Sequence, residues 1–175
     1  MSRLTITCAE EKDLAEIQKI YAYAREFMKN NGNPNQWKDD RPALNVLIDD
    51  IENHRLYIVK DGNEIHGVFA FMAGEDPTYA DICGNWLSDS EYGTIHRVAG
   101  DGKVKGMFDS ILDFCNRKIS HLRIDTHEDN KIMRHLIEKN GFAKCGIIYV
   151  ADGSPRIAYE KTDHITNDDN TELYS

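Results

Sequence analysis

The chain has 175 residues, of which 41% are hydrophobic and 29% charged, and its formal net charge is −9. This composition is typical of a globular protein with one domain-sized core. We expect no nucleic-acid partner, because phosphate-binding surfaces are normally basic. No apolar run approaches the length of a membrane span and no signal pattern opens the chain, so we expect no membrane contact and a cytoplasmic location. The four cysteines form no Cys-x-x-Cys pair, and we expect no bound metal.

Hydrophobic periodicity predicts strands and helices in the order β-α-α-β-β-β-α-β-α-β-β. The predicted elements lie at about residues 4–8, 14–30, 42–51, 56–59, 65–73, 95–99, 104–118, 121–126, 130–139, 142–150 and 156–160. The hairpin that turns at Asp61-Gly62-Asn63 gives the clearest β signal. Residues 74–91 form a long polar connection, and connections of that length are usually functional or locally packed.

No repeat and no linker interrupts this order, which predicts one α/β domain over residues 1–161. Residues 162–175 are polar and acidic and have little apolar surface to bury. We therefore expect them to form a mobile tail.

A strand followed by a glycine-punctuated turn and an amphipathic helix occupies residues 92–118. Such a turn leaves backbone N–H groups without intrahelical partners at the positive end of the helix dipole, which favours phosphate oxygens. Lys103 and Lys105 add two positive charges beside it. The turn is either a pyrophosphate site or a plain strand–helix connection whose glycines serve tight geometry.

Two segments resemble the GNAT acetyltransferase superfamily, and the resemblance extends over residues 2–161. LRIDTHEDNKIMRHLIEKNGF resembles the superfamily's strand, its Asn-initiated helix and its Asn-Gly-Phe ending, and KVKGMF resembles its pyrophosphate signature. In that register Lys103 takes the first signature position, Gly106 the central glycine, and Phe108 a position where a small residue is usual. RVAGDG also fits the signature, but it would place the loop inside a strand. GNPNQW resembles a bacterial subgroup of the superfamily.

The resemblance implies a mixed, mostly antiparallel central sheet flanked by helices, with acetyl-CoA as the acyl donor. Backbone N–H groups of Val98 and Ala99 would face the thioester carbonyl, between strands that splay near Ala99 and Thr126. Asn130 would bind the pantetheine arm, although it can equally be only a helix cap. The residues implied to hold the pyrophosphate are Lys103, Val104, Lys105, Gly106, Met107 and Phe108.

The tyrosine that supplies a proton to the leaving thiolate in many members is absent, because Ile137 stands at its position. Tyr149, at the end of the next strand, is the substitute candidate, with an ordinary strand aromatic as the alternative. His96 is the candidate general base, since it neighbours the thioester strand; strand alternation places it on one face with Val98. A buried, hydrogen-bonded structural histidine is the alternative, and Glu75 is a weaker candidate.

The resemblance places the acceptor site at two segments, residues 31–41 and 74–91, with Gln36, Trp37 and Glu75 as candidate substrate contacts. The implied acceptor is a small-molecule or peptide amine, and a homodimer is possible in this superfamily. One alternative is a non-catalytic coenzyme-A-binding sensor or partner protein of the same fold. A nucleotide-binding enzyme is a further alternative, although neither a Walker A string nor a spaced dinucleotide fingerprint occurs.

Overall fold

A computed structural model describes residues 3–162 of the protein. Apart from Thr162, the predicted mobile tail lies outside the described residues. Among residues 3–162, no helix has both the length and the apolar character that crossing a membrane requires.

Within residues 3–162, eight strands and four α-helices follow the predicted order, with one short strand added. The strands are β1 Thr5–Cys8, β2 Leu56–Asp61, β3 Glu64–Ala73, β4 Cys83–Gly84, β5 Gly93–Gly100, β6 Leu122–Thr126, β7 Ala143–Tyr149 and β8 Pro155–Lys161. The helices are α1 Leu14–Asn30, α2 Leu44–Glu52, α3 Met107–Lys118 and α4 Lys131–Lys139.

Two predicted helix starts were wrong. Helix α3 begins at Met107 instead of Val104, because the positive φ of 71° at Gly106 keeps the preceding loop out of the helix. Helix α2 begins at Leu44 instead of Pro42, after an extended Ala43. The long connection between β3 and β5 contains β4 and a 3₁₀ turn at Pro77–Tyr79, so it is locally packed.

All strands belong to one sheet in the order β1-β2-β3-β5-β6-β8-β7-β4. Neighbouring strands are antiparallel except for β5 and β6, which are parallel. The sheet is therefore mixed and mostly antiparallel, which confirms the predicted fold class.

Helices cover both faces of this sheet. One core, the α3–α4 core, joins Phe108, Ile111 and Ile137 of the helices to the strand residues Phe69, Phe71, Ile95 and Ile124. The α1–α2 core joins Ile17, Tyr21 and Leu47 to Ile58, Val68, Ala70 and Ala99. Alternate residues of the central strands thus enter opposite cores, as strand geometry requires.

The only parallel ladder described in residues 3–162 is short. It pairs Gly93–Ile95 with Leu122–Ile124, whereas β5 continues to Gly100 and β6 to Thr126. The two strands therefore part beyond Ile95 and Ile124, where the resemblance places the coenzyme arm.

A bulge in β5 changes the predicted alternation. Arg97 has a φ of 54°, and the ladder to β3 passes directly from His96 to Ala99. His96 pairs with Ala70 and lies on the α1–α2 face, whereas Val98 packs with the α3–α4 core. The expectation that His96 and Val98 share a face was wrong, because one inserted residue reverses the alternation after it.

Candidate active site

Two adjoining cavities open where β5 and β6 part. The first, called here the His96 cavity, has a volume of about 550 Å³. The second, the loop cavity, has a volume of about 470 Å³ and is lined by the β5–α3 loop. Both are lined by the same four residues at their junction, which are Met28, Val98, Asn130 and Met133. A molecule bound in the loop cavity can therefore reach a molecule bound in the His96 cavity.

The β5–α3 loop is held by its own hydrogen bonds. Asp101 Oδ1 accepts from the backbone N–H of Lys103 at 3.0 Å, and Asp101 Oδ2 lies 2.8 Å from His66 Nδ1. The backbone N–H of Asp101 donates to the carbonyl of His66. Gly106 is the N-cap of α3, and the first N–H groups of that helix are oriented toward the loop. The chain thus presents an ordered helix N-terminus beside the cavity, which suits an anionic group.

A close side-chain contact lies at the glycine that ends β5. A Cβ at Gly100 would lie 2.6 Å from the end of the Met107 side chain, so a larger residue there would require that flexible side chain to shift. Phe108, which stands where the superfamily signature has a small residue, is 5% exposed and packs into the α3–α4 core. Its bulk is therefore accommodated by the protein interior as well as by the cavity edge.

A buried carboxylate orients the candidate base in the His96 cavity. His96 Nε2 lies 2.7 Å from Asp76 Oδ2, and the other Asp76 oxygen accepts from the backbone N–H of Thr78 at 2.9 Å. Burial raises the pKa of Asp76, but the hydrogen bond and charge of His96, with the Thr78 N–H, lower it to about 2. Asp76 is therefore ionised at neutral pH and can only accept, so His96 Nε2 carries the proton of this hydrogen bond.

A second carboxylate lies on the other side of the imidazole. Asp125 Oδ2 is 3.8 Å from His96 Nδ1, and it accepts a hydrogen bond from Tyr79 Oη at 2.7 Å. Burial and Asp125 raise the pKa of Tyr79 well above its ordinary value, so Tyr79 remains a donor. The free nitrogen of His96 and the Asp125 carboxylate thus face the cavity together, which suits a cationic or proton-losing group.

Comparisons with known proteins identify the fold. No family model matches the chain, and no curated protein matches it. Among solved structures, a GNAT-family acetyltransferase from Streptococcus agalactiae 2603 is 29% identical, with 90% of this chain and 94% of that chain covered and a TM-score of 0.81. The chain has the GNAT acetyltransferase fold. The resemblance drawn from the sequence is thereby confirmed.

Two further structures agree with the GNAT fold. A GNAT-family acetyltransferase from Listeria monocytogenes 4b F2365 is 17% identical, covers 90% of this chain and 94% of its own, and has a TM-score of 0.67. A chain of the NatC complex bound to Gag peptide and CoA is 13% identical, with 91% of this chain and 98% of that chain covered and a TM-score of 0.62. At these identities the likeness concerns the fold alone.

In this GNAT fold, Asn130 occupies the junction of the two cavities. Its Oδ1 caps α4 by accepting from the Met133 N–H at 3.1 Å, and its Nδ2 donates to Gln36 Oε1 at 3.0 Å. Gln36 Oε1 also accepts from Asn33 Nδ2 at 2.9 Å. The cap is therefore formed, and the role of Asn130 toward pantetheine stays a prediction.

The site residues predicted from the sequence fall into two groups, those that line the two cavities and those that do not. The residues that line one or both cavities are Gln36, Trp37, His96, Val98, Ala99, Val104, Gly106, Met107, Phe108 and Asn130. Lys103 and Lys105 are exposed on the same loop without lining either cavity. Glu75 is exposed, Tyr149 is 55% exposed, and neither lines the His96 cavity or the loop cavity. The sequence-based roles of Glu75 and Tyr149 stay predictions.

Several polar residues of the His96 cavity were not among the predicted site residues. Asp76, Asp125 and Arg156 are the ones that bear on its chemistry. Asp76 precedes Pro77, a pattern that begins a 3₁₀ turn, while Asp125 and Arg156 interrupt apolar strands. A polar residue inside an apolar strand was thus the available signal.

Proposed function

We propose that the protein is an acetyl-CoA-dependent N-acetyltransferase that transfers the acetyl group directly to the amine of an acceptor. Acetyl-CoA occupies the loop cavity, and the amine enters the His96 cavity. The observation that carries this proposal is the junction of the two cavities at Val98, beside the Asp76–His96 pair. The GNAT fold supports acetyl transfer as the reaction class.

The coenzyme's pyrophosphate binds the N–H groups of the β5–α3 loop and of the first turn of α3. Lys103 and Lys105 add positive charge from the exposed side of the loop. The registers of β5 with β3 and β6 give Arg97 and Val98 no partner residue. In the proposal, the Val98 N–H at this bulge donates to the oxyanion that forms on the thioester carbonyl.

His96 removes the proton that the amine must lose. Because Asp76 accepts a hydrogen bond from Nε2–H, the lone pair of the neutral imidazole is on Nδ1, on the side of Asp125. Asp125 attracts the incoming ammonium, Nδ1 takes its proton directly or through a water, and the free amine attacks the carbonyl carbon. The C–S bond then breaks and coenzyme A leaves as a thiolate. The thiolate takes the second proton of the amine nitrogen, and His96 returns the first proton to solvent.

Substitution of His96 separates catalysis from coenzyme binding. We expect His96→Gln to lower kcat/KM for amine acetylation about 10²- to 10⁴-fold, which is the usual contribution of a general base, with acetyl-CoA affinity unchanged. Thiol release from acetyl-CoA measures the first quantity and calorimetry the second. The matched control is His135→Gln, since His135 is exposed on α4 and lines neither cavity. An unchanged kcat/KM in His96→Gln contradicts the assignment of the base.

A further inference from the structure

Three arginines line the His96 cavity, and two of them are neutralised by carboxylates. Arg41 Nη1 lies 3.1 Å from Asp152, and Arg97 Nη2 lies 2.6 Å from Asp50. The third, Arg156, is 6% exposed, yet no carboxylate among residues 3–162 reaches ion-pair distance from it. The buried wall of the cavity therefore carries one positive charge that forms no direct ion pair within residues 3–162, although the charges of Asp125 and Asp152 still act on it.

Neutral acceptors alone hold the Arg156 guanidinium. Its Nη1 donates to Ser154 Oγ at 3.1 Å and to the Pro155 carbonyl at 2.8 Å, and its Nη2 donates to the Gln36 carbonyl at 3.0 Å. Within residues 3–162, these bonds leave its Nε–H and one N–H of Nη2 without an acceptor. Burial of an unpaired charge is costly, and an anion that enters the cavity removes that cost.

The sheet register places this cation next to the amine-facing carboxylate. Asp125 of β6 pairs with Ala158 of β8, and Arg156 lies two residues along β8 on the same face. Asp125 and Arg156 are therefore diagonal neighbours, and both line the His96 cavity. One small molecule can contact both, with a cationic end toward Asp125 and an anionic end toward Arg156.

We propose that the acceptor is a small amine that also carries a carboxylate, as a free amino acid does, and that Arg156 binds this carboxylate. The proposal rests on the proposed N-acetyltransferase function and names its substrate class. A guanidinium offers parallel N–H donors that match the two oxygens of a carboxylate, which a point charge does not. An amine that lacks the carboxylate leaves Arg156 unpaired when it displaces water from the cavity.

Turnover of matched acceptors tests the proposal. The panel consists of free L-amino acids, their C-terminal amides and the corresponding decarboxylated amines, with thiol release from acetyl-CoA as the readout. We expect kcat/KM for the best amino acid to exceed that of its amide about 10- to 100-fold, and Arg156→Gln to abolish the difference. The control is Arg117→Gln, because Arg117 is exposed on α3. A parent protein that prefers the amides, or an equal effect of Arg156→Gln on both classes, overturns the proposal.

Product binding provides a readout that does not depend on turnover. Calorimetry compares the affinities of N-acetyl amino acids and of their amides for the parent protein. This comparison does not depend on whether a variant folds. Tighter binding of the acids, reduced at least about tenfold by Arg156→Gln and partly restored by Arg156→Lys, supports the carboxylate site. If the N-acetyl amino acids bind more tightly than their amides but no amine is acetylated, the proposed function is wrong and the carboxylate site at Arg156 is supported. Equal binding of acids and amides overturns the site.

Discussion

The chemistry of the site depends on how single residues are enclosed. Asp76 is 7% exposed, and the backbone around it is fixed by the Tyr92 hydroxyl, which accepts from the Asp76 N–H at 2.8 Å. The carboxylate cannot rotate away from His96 without losing the Thr78 hydrogen bond. Asp76 therefore acts as a positioning residue that fixes which imidazole nitrogen is free.

The lowered pKa of Asp76 predicts an acid-dependent stability. The pKa of Asp76 is about 2 in the folded protein, below the ordinary aspartate value of 3.8, so the folded state binds this proton less readily than the unfolded chain. Its stabilisation, about 2 kcal/mol, is complete above the ordinary pKa and is lost as the pH falls from about 4 to about 2. Urea unfolding at several pH values should show Asp76→Asn less stable than the parent near neutrality, with the difference shrinking below pH 4. A difference independent of pH contradicts this linkage.

His96 could be chosen from the sequence because it stands in the strand that precedes the glycine turn. Its partners could not, because they lie on other elements: Asp76 is 20 residues away along the chain. Asp125 belongs to β6, and its place beside the imidazole depends on the pairing of β5 with β6, which periodicity does not specify. The position of the Arg156 guanidinium depends on its hydrogen bond to the Gln36 carbonyl, and no local sequence pattern specifies that contact.

At the scale of elements, the proposed function assigns coenzyme binding to the β5–α3 loop. Gly106 has a φ of 71°, and no atom lies within 4 Å of an added Cβ, so a side chain there would strain the backbone without colliding with the protein. Gly62 in the β2–β3 turn has a φ of 59° and the same open surroundings, but it lines neither cavity. Gly62 therefore provides a matched control for substitution of Gly106.

We expect Gly106→Ala and Gly62→Ala to lose similar stability, about 1–2 kcal/mol each, because both force an alanine into the left-handed region. Only Gly106→Ala should weaken acetyl-CoA binding, since the loop's N–H groups must then shift or the Cβ must point at the bound phosphates. Thermal unfolding measures the first effect and calorimetric titration the second. Equal acetyl-CoA affinity in both variants would show that the loop does not hold the coenzyme.

Periodicity predicted the elements better than it predicted their ends. Apolar spacing continues from Val104 into α3, but the loop keeps its irregular form to Gly106 because Asp101 bonds to His66 and to the Lys103 N–H. The bulge at Arg97 could not be predicted from periodicity either. It is fixed by the hydrogen bond from Tyr21 Oη to the Arg97 carbonyl and by the Arg97–Asp50 ion pair. Both features arise from contacts between elements distant in sequence.

At the scale of the molecule, the sheet consists of two groups of strands that meet at the β5–β6 ladder. The order of elements was predictable from periodicity, and the mixed sheet was implied by the resemblance to the GNAT superfamily. The insertion of β8 between β6 and β7, and the edge position of β4, were not predictable from periodicity. The cavities form where this ladder ends, so they are a property of the assembled sheet.

The central claim is that this assembly transfers acetyl groups. The most direct measurement is mass spectrometry of the protein incubated with acetyl-CoA and the amine panel, with released coenzyme A quantified in the same samples. We predict one N-acetylated amine for each coenzyme A released, and no release above hydrolysis when the amine is omitted. Calorimetric binding of acetyl-CoA with no amine-dependent release would contradict the claim and indicate a non-catalytic coenzyme-A-binding protein.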